Sequence, residues 1–373
     1  MVFIRKTEKQ EGGFCMAVIM GATEKKGEVG IEIEVEGNKF PKGVSPHYPQ
    51  GVSPDLIPPQ WRYVKDGSLR GQDNAEYIFA KPLMFSDVPK ALEDLWAMFK
   101  KFGSKLDDSN RTSVHVHLNA QKWHMNRLTA FMALYYCLEE VLTAWCGEHR
   151  VGNLFCLRAK DAPAIIRQVR DFITSDGRAT VGGNHHYAAL NLNALTKHGS
   201  IEVRTMRGTQ DSETIINWVA ILERLYNLSS EYSDPRDICG LFSAAGPMEF
   251  FDTLLGDKAY VVRQGISMSE EEIRDSMYEG IRLAQDLCYC RDWDTFKPME
   301  FKPDPFGRKP KKVMSGLQAA IDQYEYVNNA GPVTTNVPGG FISAPIPTHW
   351  VPDPEPEYDE DSDIQDILDA VTF

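Results

Sequence analysis

Three short segments decide most of what this chain can fold into, because each alternates apolar and polar residues with a period of two. They are Gly30-Ile-Glu-Ile-Glu-Val-Glu36, Ser113-Val-His-Val-His-Leu-Asn119 and Ile201-Glu-Val-Arg204. Successive side chains of a β-strand point to opposite faces. Ile31, Ile33 and Val35 therefore share one face, and Glu32, Glu34 and Glu36 the other. Val114, Val116 and Leu118 oppose His115 and His117, while Ile201 and Val203 oppose Glu202 and Arg204. Strands of this kind suit an antiparallel sheet with one face packed and one face wet. If the three share a sheet, its polar face collects carboxylates, imidazoles and a guanidinium.

The rest of the chain supplies the packing. Two strand-like pieces fall within residues 61–80, around the turn-forming Asp66-Gly67-Ser68. Ser86 reads as the cap of a helix running to Gly103, and the apolar-rich stretch 125–146 as a long helix stopped by Gly147. Further helices are expected over about 161–174, 212–230 and 269–289, and strands near 14–20, 187–193 and 200–206. No fixed βα repeat runs through these elements, so the expected class is α+β with a mostly antiparallel sheet. This catalytic body is expected over residues 1–297. Eleven of the 22 prolines fall in 298–373, and Val351–Phe373 holds nine acidic residues and no basic one. Such a composition predicts an extended or disordered tail. Two readings of it stay open: a solubilising extension, or an acidic peptide at Asp363–Phe373 that docks on a protein partner.

Composition excludes several classes. The chain has 373 residues and a net charge of −13, with nine of the acidic residues in the tail. General nucleic-acid binding by phosphate neutralisation is not expected. The seven cysteines are irregularly spaced, with no CxxC pair, which predicts a reduced, cytoplasmic chain. The apolar run Phe14–Met20 is only about a third of a membrane span, and it lacks a signal-peptide layout. Neither export nor membrane insertion is expected.

Same-face carboxylates on one strand sit ~7 Å apart and repel by ~2 kcal/mol per neighbouring pair at an effective dielectric near 20. On an open surface, water and salt remove most of that. In a cleft the carboxylates need cations, and Mg²⁺ or Mn²⁺ suit oxygen ligands. Two histidines at i and i+2 are a common ligand pair, and arginine offers a planar fork to oxyanions. A polar face with all three suits divalent metals and a polyphosphate. No GxxxxGK[ST] or GxGxxG phosphate loop is present, so a nucleotide would be held by this face instead. On the residues alone, a metal-dependent hydrolase and a noncatalytic interaction protein also stay open.

The order of these motifs resembles the carboxylate–amine ligase superfamily that includes glutamine synthetase and glutamate–cysteine ligase, and more narrowly the amidoligases of phages and bacteria. The matching pieces begin with Gly30, Glu32 and Glu34, then the Asp66-Gly-Ser loop with Glu76 and Pro82-Leu83. His115 and His117 follow, then Arg150-Val-Gly-Asn-Leu-Phe-Cys156, Tyr187–Leu192, Ile201–Arg204 and Arg207-Gly-Thr209. The resemblance covers roughly residues 28–230. It implies a curved, mostly antiparallel sheet with the active site on its concave face and helices packed behind. The reaction implied is ATP-dependent amide formation between a carboxylate and an amine, through an acyl phosphate, with Mg²⁺ or Mn²⁺. By the same resemblance Glu34 and Glu76 hold one metal, and Glu32, His115 and Glu202 a second. His117 contacts the nucleotide, and Arg204 the transferring phosphoryl group. Arg150 and Arg207 bind phosphate or substrate carboxylate, Asp66 steers the amine, and Asn191 contacts substrate. A phage origin, and with it a host cytoplasm, is implied in the same way. The separate N-terminal domain of glutamine synthetase has no counterpart, so ring assembly and ammonia use are not implied.

Overall fold

A computed structural model describes residues 3–9, 15–20, 24–42, 56–71, 73–107, 109–179, 181–294 and 297–298. The chain divides into a unit Met1–Pro310 and a unit Lys311–Phe373. Every described residue lies in the first, and the expected tail lies outside the described residues beyond Pro298.

The elements run β1 Phe3–Lys9, β2 Cys15–Met20, β3 Val29–Val35, β4 Gly37–Asn38, β5 Trp61–Val64, β6 Ala75–Phe79, α1 Val88–Phe102, β7 Lys105–Leu106 and β8 Ser113–Asn119. They continue with α2 Met125–Cys146, α3 Pro163–Thr174, β9 Leu190–Asn191, α4 Ala194–Lys197, β10 Ser200–Arg207 and α5 Ser212–Leu228. Helices α6 Arg236–Ala245, α7 Pro247–Leu255, α8 Lys258–Gln264 and α9 Glu270–Cys288 complete the body. This is a mixed α/β fold built on a six-stranded sheet in the order β5-β6-β3-β8-β10-β9, with every neighbouring pair antiparallel.

The three alternating segments are adjacent central strands of that sheet. Val29, Ile31, Ile33, Val35, Val114, Val116, Leu118, Ile201 and Val203 are each 1% exposed or less. Helix α2 packs against β10 and α5 against β8, and α2 is buried along nearly its whole length. One polar link crosses this packed layer, between Tyr135 Oη of α2 and Thr205 Oγ1 of β10 at 2.6 Å.

Several boundaries differ from expectation for identifiable reasons. Ser86 does not cap α1. It lies in a 3₁₀ turn, Phe85–Asp87, and the helix starts at Val88 with Pro89 in its first turn, where a missing N–H does no harm. The strand expected near 187–193 shrinks to two residues. A 3₁₀ turn occupies Gly183–Tyr187, and Asn191 Oδ1 accepts the Asn193 N–H at 2.8 Å, turning the backbone out of the sheet. Helices α6, α7 and α8 have 10, 9 and 7 residues and are punctuated by Gly246 and Gly256, too short to show a helical period in an 11–18-residue window.

Two packing features make testable demands. Gly280 of α9 lies against the α2 backbone, where an added Cβ would sit 2.6 Å from the carbonyl oxygens of Tyr136 and Cys137. Overpacking against backbone costs about 1–3 kcal/mol, more than the ~1 kcal/mol gained by removing a helical glycine. Gly280→Ala is therefore expected to lower the melting temperature. Gly240→Ala, with open space around it, is expected to leave it unchanged or raise it.

Glu139 of α2 is 3% exposed. Its Oε2 accepts the Ala159 N–H at 2.8 Å, and Oε1 has no hydrogen-bond partner among the described residues. Burial pushes its carboxyl up to about 8, against the opposing pull of that N–H and of Arg158. The folded chain thus holds a proton that the unfolded chain has released, so stability falls as pH rises from 4.5 towards 8. Glu139→Gln removes the ionisation and is expected to stabilise the protein by on the order of 5 kcal/mol above that range. Denaturant melts at pH 5 and pH 9 measure it: wild type and variant should converge at the acid end.

Candidate functional site

Strand pairing decides which polar side chains meet. Glu34 of β3 stands directly opposite Glu76 of β6, and Glu32 opposite His115 of β8. His117 stands opposite Glu202 of β10, and Glu202 opposite Asn191 of β9. A bulge between Val203 and Met206 sets Arg204 and Thr205 against the single residue His115. The extra residue keeps Arg204 with Glu202 while Thr205 and Met206 both bury.

Glu32 is the hub. Its Oε2 lies 3.1 Å from His115 Nδ1 and its Oε1 3.0 Å from His117 Nε2. Glu202 Oε1 is 3.5 Å from His115 Nδ1 and accepts from Arg204 Nη1 at 2.5 Å. Glu202 Oε2 accepts from Asn191 Nδ2 at 2.7 Å. Burial disfavours the charged forms of these acids, but His117 and His115 outweigh it at Glu32, and His117 with Arg204 at Glu202. Both carboxyls are held below their usual range. His117 is raised to about 9 against burial, chiefly by the charge of Glu32 and then of Glu202. At the other end Glu76 is pushed well up by burial and then by the charges of Glu32, Glu34 and Asp66. That end of the cluster holds acid groups in excess of its cations.

One atom tests whether these residues fit a metal. Among the described residues, buried His117 Nε2 makes no hydrogen bond of regular geometry, although Glu32 Oε1 is 3.0 Å away. That spacing without hydrogen-bond geometry suits a shared third atom. One ring nitrogen of His117 and one oxygen each of Glu32 and Glu202 lie within 4.8 Å of one another. Carboxylates with imidazole nitrogen are a donor set for a divalent cation such as Mg²⁺ or Mn²⁺.

A family described as "Putative amidoligase enzyme" has a sequence model that matches residues 25–226, just over half of the 373-residue chain. The chain belongs to this amidoligase family. No curated protein matches it. The amidoligase match spans β3 to β10 and so contains the whole polar cluster. Among the described residues no helix is long and apolar enough to cross a membrane.

The structure therefore brings together Glu32, Glu34, Glu76, His115, His117, Asn191, Glu202 and Arg204. Asp66 lies on the loop beyond β5, where its carboxylate accepts from the Ser68 N–H and hydroxyl at 2.7 Å each. Glu36 is spent on that same loop, accepting the Arg70 N–H at 2.6 Å. Arg150 and Arg207 are not brought into the cluster. Arg150 is 0% exposed, and its Nε and Nη2 donate to the carbonyls of Thr205 and Arg204 at 3.0 and 2.6 Å. It clamps the bulge that aims Arg204. Arg207 Nη1 donates to Cys146 O at 2.8 Å, closing the C-terminal end of α2. His185 is buried too, its Nδ1 accepting the Leu192 N–H at 3.3 Å, and burial lowers it to about 4. Sequence reasoning missed Ser113 and Ser200, each bonded to a histidine of the cluster. Their only sequence signal is a position at the start of an alternating strand.

Proposed function

We propose that this chain is an ATP-dependent carboxylate–amine ligase whose polar sheet face corresponds to the concave catalytic face of the glutamine synthetase-like fold. The convergence of Glu32, His117 and Glu202 beside Arg204 carries this reading. On it, Glu32, His117 and Glu202, with His115 alongside, hold one Mg²⁺ or Mn²⁺, and Glu34 with Glu76 a second. Such cations neutralise the charge of a polyphosphate.

Arg204 retains donors beyond its bonds to Glu202 and to Phe155 O. Those donors stabilise the oxygens of the γ-phosphoryl group as it transfers. A substrate carboxylate oxygen attacks phosphorus and ADP leaves. An amine then attacks the acyl carbon, and phosphate leaves with one of the original carboxylate oxygens. Asp66 takes the proton that the amine loses. Asn191 fixes the rotamer of Glu202, so that Glu202 serves Arg204 and the cation seat together.

The test is turnover. Full-length protein with ATP, Mg²⁺ and pooled carboxylates, using hydroxylamine as a generic amine, is expected to release ADP and form hydroxamate together. Glu202→Ala is expected to do neither. No ADP and no hydroxamate across a broad pool contradicts the proposal.

A further inference from the structure

Each imidazole of the cluster carries a serine hydroxyl on the ring nitrogen that does not face Glu32, and for His115 that nitrogen also lies 3.8 Å from Glu34 Oε1. His115 Nε2 is 2.7 Å from Ser113 Oγ, while its Nδ1 is 3.1 Å from Glu32 and 3.5 Å from Glu202. His117 reverses the ring: Nδ1 is 3.2 Å from Ser200 Oγ, and Nε2 is 3.0 Å from Glu32. The two rings therefore reach the same carboxylate through opposite nitrogens, with a hydroxyl behind each.

Proton counting at Ser113 settles the direction of its bonds. The hydroxyl has one proton, and Oγ lies 2.6 Å from Glu34 Oε2 as well as 2.7 Å from His115 Nε2. A carboxylate can only accept. Were the proton given to Nε2, two oxygens would face each other at 2.6 Å with no hydrogen between them. The proton goes to Glu34, whose Oε2 also accepts the Ser113 N–H at 2.8 Å. Nε2 must then carry the hydrogen of its bond to Oγ. Nδ1 is hydrogen-bonded to Glu32 Oε2 at 3.1 Å, so it is the nitrogen whose proton a cation would replace.

We infer that Ser113 is a positioning residue: it fixes His115 as the Nε2–H tautomer and so presents Nδ1 to a cation seated between Glu32 and Glu202. Ser200 stands in the same relation to His117 through Nδ1. Ser113 also ties the two halves of the cluster together, since one hydroxyl orients both His115 and Glu34. Partners that hold the far nitrogen of a ligating histidine set its orientation and basicity, and removing one typically lowers metal affinity by ~10–100-fold.

The inference rests on the cation reading above, and its test separates the two. Long-range ¹H–¹⁵N spectra of metal-free wild type are expected to show a hydrogen on His115 Nε2. Ser113→Ala is expected to lose that hydrogen in part of the population and to weaken Mn²⁺ binding by ~10–100-fold. Ser113→Thr keeps the hydroxyl and is expected to stay close to wild type in both. A wild-type ring protonated on Nδ1 alone overturns the inference, as does a Ser113→Ala protein with unchanged tautomer and affinity. Wild type that binds no Mn²⁺ overturns the cation reading instead, because the tautomer is read without any metal.

Discussion

Arg204→Lys is expected to lower ATP-dependent turnover by roughly 10³-fold, the scale at which an arginine on a transferring phosphoryl group acts. The fold should survive, because lysine keeps a positive charge within reach of Glu202. What lysine lacks is the planar fork, which serves a carboxylate and a second oxyanion at once. In the native protein that fork is already committed on one edge, with Nη1 on Glu202 at 2.5 Å. If Arg204 only neutralised Glu202, lysine would suffice and turnover would fall a few-fold at most. Steady-state ADP release with saturating ATP distinguishes these results, with a thermal melt to show that the variant is folded.

The second large effect is expected at Glu32, which faces both histidines with its two oxygens. Glu32→Gln preserves the shape but places an amide NH₂ against one of the two ring nitrogens and removes a negative charge from the seat. Loss of a partner behind a ligand typically weakens metal binding by ~10–100-fold, so loss of the hub itself should weaken Mn²⁺ binding by ~100-fold or more. The pH profile should change as well. With Glu32 ionised, His117 is raised to about 9, so cation binding to wild type must displace a proton below that pH and strengthen as pH rises. In Glu32→Gln the largest charge that raises His117 is gone, and this dependence should move to lower pH. Mn²⁺ titrations between pH 7 and pH 9 read both effects.

The faces of the sheet were legible in the sequence, and the pairings across it were not. Alternation in Gly30–Glu36, Ser113–Asn119 and Ile201–Arg204 is a local property and shows which side chains share a face. Which residue meets which depends on register between strands some 80 residues apart. That register is what places His117 opposite Glu202 and beside Glu32, among the candidate cation ligands. The arginines show the converse. Arg150 and Arg207 sit in plausible motif positions, yet one clamps backbone carbonyls of a bulge and the other closes a helix end. A sequence does not record whether a guanidinium is turned towards solvent or backbone. Ser113 and Ser200 went unnoticed because serine at the start of a strand is common, and its weight comes only from what lies within 3 Å of the hydroxyl. Helix α2 was the easiest element to place, since Met125–Cys146 is long, apolar and stopped by Gly147.

On the proposed function, one cation seat on this sheet face serves both the protein's histidines and a nucleotide's phosphates. Pulsed electron–nuclear spectroscopy of Mn²⁺ bound to the protein with ATP measures this directly. ¹⁴N coupling from a histidine and ³¹P coupling from ATP are expected on the same ion, with the ¹⁴N signal reduced in Glu32→Gln. Mn²⁺ that couples to ³¹P but to no protein nitrogen would contradict it, because the nucleotide and its metal would then sit away from His115 and His117.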